Sequence, residues 1–267
     1  MTKVNGPQAG IRSLMTAAMG KVAPDKPGKF RFGKRAGHEY FAGAGSAIPD
    51  DPRRNPAFYE RVPLMEVMES LLARAYLQNR KFYDRQGAFY IAEAGTYRGR
   101  GLLAMLNLAD RMGIKVHITG LDSFEGLPPL STVDASSAPT DAAYRSRTLF
   151  ADTTEREVHA YIGKENAGRY TLVKGFFEDT LPTLPERKYL LAVIDCDLYS
   201  SHIDCMAYFY ERMLPGGVIF FDDYHSEQYP MAKLAVDDFL AEKPENLIHI
   251  GYADPSGNNV KTYIVKS

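Results

Sequence analysis

From residue 88 onward, short apolar runs alternate with amphipathic stretches, the pattern of βα units built around a parallel sheet. The runs predict strands at 88–93, 116–121, 170–174, 189–194, 217–221, 247–252 and 260–265. Between them, apolar residues recurring at helical spacing predict helices near 99–112, 155–167, 200–213 and 230–242. The second of these opens on the capping box Thr154-x-x-Glu157. Only the turn Asp254-Pro255-Ser256-Gly257-Asn258-Asn259 separates the last two strands, which predicts an antiparallel hairpin. The expected fold is therefore α/β: a doubly wound, mostly parallel, seven-stranded, Rossmann-like sheet that ends in that hairpin. Upstream, Asn55-Pro56 reads as a helix start. Val62, Met65, Val67, Met68, Leu71, Leu72 and Ala75 then follow at the spacing of a core-facing helix. Residues 1–55 are rich in glycine, proline and charge without a period, so they read as an extended arm, with one domain over 56–267. The connection 123–152 carries Pro128, Pro129, Ser131, Ser136, Ser137 and Pro139 and shows no helix or strand period. A loop of that length in a compact domain is expected to be a lid or binding loop.

Composition narrows the function class. With 267 residues, 45% hydrophobic and 24% charged, the chain can bury a sizeable core. A net charge of -1 gives no field to draw nucleic acid or an anionic membrane, so a small-molecule partner is expected. The charge is uneven: residues 1–35 hold eight Lys or Arg against Asp25 alone. That arm is expected to be solvated or to dock on a second copy in a homo-oligomer. Cys196 and Cys205 are too few for a disulfide framework. Ile11–Met19 is interrupted by Arg12 and is too short for a signal peptide or a membrane span, so a cytoplasmic protein is expected.

Candidate chemistry lies where strands end, because open α/β sheets bind ligands beyond the carboxyl ends of their parallel strands. The first predicted strand ends on Glu93, the second on Asp122, the fourth on Asp195, and the fifth on Asp222 and Asp223. The turn Glu93-Ala94-Gly95-Thr96-Tyr97-Arg98-Gly99-Arg100-Gly101 leads into a helix with three glycines, which lets backbone approach a nucleotide-type ligand. Its G-x-x-x-G-x-G spacing differs from the dinucleotide fingerprint, which disfavours a nicotinamide enzyme. Asp122 is placed to accept hydrogen bonds from ribose hydroxyls. If the fourth and fifth strands are neighbours, about 4.8 Å apart, Asp195 and Asp222 end side by side with Asp223. An all-oxygen set of that kind suits Mg²⁺, Mn²⁺ or Ca²⁺ better than zinc.

Four segments resemble the macrocin O-methyltransferases of the TylF type. They are Glu93-Ala94-Gly95-Thr96-Tyr97-Arg98-Gly99, Leu121-Asp122-Ser123-Phe124-Glu125-Gly126-Leu127-Pro128, Gly175-Phe176-Phe177-Glu178-Asp179-Thr180-Leu181-Pro182, and Asp195-Cys196-Asp197-Leu198-Tyr199-Ser200 with Phe221-Asp222-Asp223-Tyr224. The resemblance implies a class I methyltransferase fold and methyl transfer from S-adenosylmethionine to a hydroxyl of a sugar or glycosylated natural product. It implies a cofactor site of Glu93, Gly95, Thr96, Tyr97, Gly99, Asp122, Ser123 and Asp195, with Glu178 or Asp179 near the adenine. It further implies a divalent metal on Asp195, Asp222 and Asp223, and Asp197 as general base. Two positions depart from the family pattern: Cys196 replaces a glycine, and His225 stands where a small residue is common, offering a second candidate base. His202 and His249 read as ordinary hydrogen-bonded or surface histidines. Two other readings compete with this one. A catechol-type methyltransferase of the same fold has a lysine where this chain has Leu198, and a non-catalytic nucleotide-binding protein would bind cofactor without turnover.

Overall fold

A computed structural model describes residues 64–82, 87–137, 149–254 and 257–267. The arm 1–55, the Asn55-Pro56 helix start and Val62 lie outside the described residues. Seven strands form one sheet in the order β3-β2-β1-β4-β5-β7-β6. They are β1 (Phe89–Ala94), β2 (Val116–Asp122), β3 (Tyr170–Lys174), β4 (Tyr189–Ile194), β5 (Met213–Phe221), β6 (Ile248–Asp254) and β7 (Gly257–Val265). β1 to β5 pair in parallel, β7 runs antiparallel to β5, and β6 pairs antiparallel with β7. The doubly wound sheet with its closing hairpin is thus as the sequence predicts. Every residue of β4 is buried, as its unbroken Tyr-Leu-Leu-Ala-Val-Ile run requires of a central strand.

Helices cover both faces. On one face α1 (Leu64–Gln78) and α2 (Arg100–Met112) pack over Phe89, Ile91, Ile118, Leu191 and Phe220. α2 presents Leu102, Met105, Leu106, Leu108 and Ala109 to the core, at the spacing that makes one apolar helix face. Left-handed Gly99 and Gly113 bound it at its two ends. The short α3 (Thr132–Ser137) and then α4 (Glu155–Ile162), α5 (Phe177–Thr180), α6 (Tyr199–Tyr210) and α7 (Pro230–Leu240) follow along the chain. α6 and α7 pack over Ala92, Ile194, Ile219 and Phe221 on the other face. No helix among the described residues is long and apolar enough to cross a membrane.

Five local expectations are corrected. β5 begins at Met213 rather than 217 and so takes in Pro215 and Gly216, and its pairing with β4 shifts register between Tyr189 and Leu191. That irregularity absorbs the residues a period-two reading rejects. α4 stops at Ile162, and a separate 3-10 turn at Lys164–Asn166 follows the break at Gly163. Thr154 caps α4 by accepting the Glu157 N–H at 3.3 Å, but the Glu157 carboxylate accepts a hydrogen bond from the Thr154 hydroxyl at 2.7 Å instead of reaching the backbone. The 123–152 connection contains α3, which has no apolar period because a buried acid holds it in place; its 138–148 part lies outside the described residues. The final hairpin is longer than its turn residues suggest, with Asp254 pairing Gly257, since backbone pairing needs no apolar side chains.

Candidate active site

The strand order reverses at β1, which lies between β2 and β4, and a cavity of about 690 Å³ opens there. Register brings the acids to one rim: Ala94 pairs with both Leu121 and Ile194, and Ile194 pairs with Phe221. Glu93, Asp122, Asp195 and Asp223 all line the cavity. The glycine turn passes very close to β4. A Cβ on Gly95, whose φ is 93°, would lie 1.7 Å from the Asp195 carbonyl oxygen, so no other residue fits there. Thr96 and Tyr97 continue the wall. Tyr97 holds φ 45°, with its N–H donating to Asp122 Oδ2 at 2.7 Å. Its hydroxyl donates to Asp152 at 2.7 Å and its ring meets Phe150 edge-on, and both rings line the cavity.

Asp122 therefore shapes the turn as well as facing the cavity. Its Oδ1 accepts the Phe124 N–H at 2.8 Å. Burial raises its pKa, an effect the backbone N–H groups oppose. Ser123 is on the wall with its hydroxyl donating to the Gly126 carbonyl at 2.6 Å, which fixes the Ser-Phe-Glu-Gly turn. Glu178 reaches the wall from α5, while Asp179 and Gly99 are not among its lining residues. Gly99 instead lets α4 approach, since a Cβ there would lie 2.7 Å from Val158. Glu93 is buried, and its Oε2 has no hydrogen-bond partner. Burial, reinforced by the charge of Asp122, raises its pKa well above the usual carboxylate range. An orphaned acceptor facing a cavity fits a ligand that brings a cationic or N–H donor, as S-adenosylmethionine does.

Carboxylate oxygens of Asp195, Asp222 and Asp223 lie within 4.8 Å of one another. Burial and then the neighbouring acids raise Asp195 well above its ordinary pKa, and the same causes lift Asp223 to about 7. Such a set cannot ionise fully without counter-charge. Lys261 of β7 supplies part of it, reaching Asp222 Oδ1 at 2.5 Å and the Asp222 carbonyl at 3.0 Å. That leaves Asp195 and Asp223 facing the cavity, and their oxygen donors fit a hard divalent cation. Asp197 is also buried on the wall, with φ 61° and its N–H donating to Asp223 Oδ2 at 3.3 Å. Burial and the charges of Asp223 and Asp222 push its pKa well up, against a hydrogen bond from Tyr229.

His225 lies elsewhere. It is exposed, absent from the cavity wall, and set with Nε2 3.2 Å from His249 Nδ1. His249 in turn contacts Thr262 Oγ1 at 3.0 Å. His202 is fully buried behind the acids: Nδ1 donates to the Leu198 carbonyl at 2.9 Å and Nε2 has no partner. Burial lowers its pKa to about 4 from an ordinary 6.5. Between those values the unfolded chain binds a proton that the folded chain does not, so this group removes stability as pH falls through that window. His202→Asn is expected to flatten the dependence of urea stability on pH, by up to about 3 kcal/mol between pH 7 and 4. Comparing variant with parent isolates His202 from the acids, whose raised pKa values act in the opposite direction. Identical slopes would show that His202 titrates in the fold as it does in the unfolded chain.

Arg98, Arg100, Phe150 and Tyr229 also line the cavity and escaped the sequence reading. Arg98 and Arg100 stand inside the glycine turn and could have been read from it; Phe150 and Tyr229 carry no local signal. Buried Asp134 and Lys261 were missed as well, because both act across long sequence separations.

A sheet of this order, with a cavity at the strand reversal and an antiparallel hairpin at one edge, is the fold of class I methyltransferases. Among solved structures, the O-methyltransferase NovP matches with a TM-score of 0.61 at 20% identity, over 98% of this chain and 99% of its own. The calicheamicin methyltransferase CalS11 matches at 0.57 and 18%, over 90% and 99%. The chain belongs to the macrocin-O-methyltransferase (TylF) family, which residues 81–252 match. A demethyldecarbamoylnovobiocin O-methyltransferase of Streptomyces niveus is 30% identical over 57% of this chain and 58% of its own. A mycinamicin III 3''-O-methyltransferase of Micromonospora griseorubida is 28% identical over 50% and 54%. The chain thus spans little more than half the length of these curated relatives.

Proposed function

We propose that the chain transfers a methyl group from S-adenosylmethionine to a hydroxyl of a sugar or glycosylated natural product, with a divalent cation held by Asp195, Asp222 and Asp223. The observation that carries this reading is one cavity lined both by the glycine turn with orphaned Glu93 and by the acids of β4 and β5. Family membership supports the chemistry, and the relatives' names, which include a rhamnosyl tetracenomycin 4'-O-methyltransferase of Streptomyces olivaceus, support a glycosylated acceptor. The catechol-type alternative fares worse, since Leu198 is fully buried in an apolar cluster with Leu127, Tyr229 and Met231.

Glu93, Gly95, Thr96, Tyr97, Asp122, Ser123 and Glu178 would hold S-adenosylmethionine. When bound, that cofactor would supply an electrophilic methyl group, and a Mg²⁺ or Mn²⁺ held by Asp195, Asp222 and Asp223 would acidify and orient an acceptor hydroxyl. The Gly95 turn and Asp122 fix one reactant against the sheet edge, while the acid rim fixes the other, which converts an encounter into a positioned displacement. Asp197, on the wall between them, takes the hydroxyl proton. Phe150, Tyr97 and the Leu127–Pro129 wall restrict water.

Incubation with S-adenosylmethionine, Mg²⁺ and a panel of glycosylated acceptors is expected to yield products one methyl heavier by mass spectrometry. EDTA is expected to abolish turnover and added Mg²⁺ to restore it, with Asp223→Ala preventing the rescue. Full activity after exhaustive chelation would exclude the metal, and tight NAD binding without response to S-adenosylmethionine would overturn the cofactor reading.

A further inference from the structure

Helix α6 has no cap of its own. Leu198 at its N-cap position offers no side-chain acceptor, so the first N–H groups need a partner from elsewhere. That partner is Asp134, 65 residues earlier: its Oδ1 accepts the Tyr199 N–H at 2.6 Å. Asp134 is completely buried in α3. Its Oδ2 accepts the Ser131 hydroxyl at 2.5 Å and the Ser131 N–H at 3.2 Å, and the Ser200 hydroxyl lies 3.4 Å away. Ser131 and Ser200 both line the cavity. One carboxylate therefore joins the wall that follows β2 to the start of α6, and its negative charge suits a helix N-terminus.

The residues just before α6 are the Asp195–Asp197 turn. Asp197 holds φ 61°, a left-handed conformation that costs a non-glycine residue roughly 1–2 kcal/mol and persists only where the surroundings impose it. On one side its N–H is tied to Asp223. On the other, Leu198 is locked among Leu127, Tyr229 and Met231, and Tyr199 is pinned by Asp134. Leu127 belongs to the same post-β2 wall that Asp134 anchors, so polar and apolar ties converge on the residue next to Asp197.

We propose that Asp134 is a positioning residue for methyl transfer: by capping α6 from the cavity wall, it holds the Asp197 carboxylate in its orientation toward the acceptor. This rests on the function proposed above. Asp134→Asn keeps the volume but replaces one acceptor with a donor that opposes the Tyr199 or Ser131 donors. In the full-length protein it is expected to lower kcat about tenfold or more, leave the Kd for S-adenosylmethionine within about twofold by calorimetry, and speed hydrogen exchange at the Tyr199 and Ser200 amides. The control is Glu245→Gln, which loosens Tyr210, Lys266 and Ser267 remote from the cavity and lowers Tm with kcat intact. An Asp134→Asn variant that loses Tm as this control does, with kcat and exchange unchanged, would overturn the proposal. If Asp134→Asn does not fold, Ser131→Ala removes one donor to the same carboxylate and is expected to give a smaller loss of kcat with the same exchange change; unchanged kcat there also overturns it. If the unaltered protein transfers no methyl group, the function proposed above fails, and exchange still decides Asp134: unaltered protection at Tyr199 rejects it.

Discussion

Replacing Asp197 with asparagine is expected to cut the rate of methyl transfer about a hundredfold or more while leaving cofactor affinity nearly intact. Asparagine keeps the shape and the partner Tyr229 but cannot take a proton. The cofactor residues of the β1 and β2 turns do not depend on it. Burial raises the pKa of Asp197, which makes it a stronger base than an exposed aspartate. His225 has the better intrinsic match to neutral pH, but it is exposed, off the cavity wall and set against His249. His225→Ala is therefore expected to cost far less. Single-turnover rates for the two variants decide between them, and the reverse ranking would move the proton acceptor to His225.

A comparably large effect is expected from Gly95→Ala, through a different cause. The added Cβ meets the Asp195 carbonyl at 1.7 Å, and the flanking strands β1 and β4 are paired and buried, so neither can give way cheaply. The variant is expected to lose about 3 kcal/mol or more of urea stability, or to bind no S-adenosylmethionine if it folds. Gly113→Ala provides the comparison: φ is 66°, yet nothing lies within 4 Å of the new Cβ. Strain alone there is expected to cost about 1–2 kcal/mol. If both variants lost the same stability, the contact between turn and strand would be soft, and the rim acids would not be held rigidly by it.

These cases mark where sequence reading reached its limit. Glu93, Asp122, Asp195, Asp222 and Asp223 were legible because apolar runs locate strand ends, and parallel strands bring those ends to one edge. The hairpin, the glycine turn and the Thr154 cap were legible because each is set by residues within a few positions. β5 starts earlier than its apolar run because a register shift hides its first residues, Met213 to Gly216. Within 123–152, α3 shows no apolar period because a polar residue anchors it: Asp134 bonds Ser131 locally and Tyr199 and Ser200 from far along the chain.

By itself, then, the sequence determined the α/β class, the strand-end acids and the family pattern, all of which follow from short-range periodicity and spacing. Only the tertiary structure decided that Gly95 must be glycine because of Asp195, that Lys261 offsets Asp222, that Asp134 caps a distant helix, and that Asp197 rather than His225 faces the cavity. Each of these is a contact between residues at least 20 positions apart, set by which strands pair and how loops fold over the sheet edge, and no local pattern encodes such a distance.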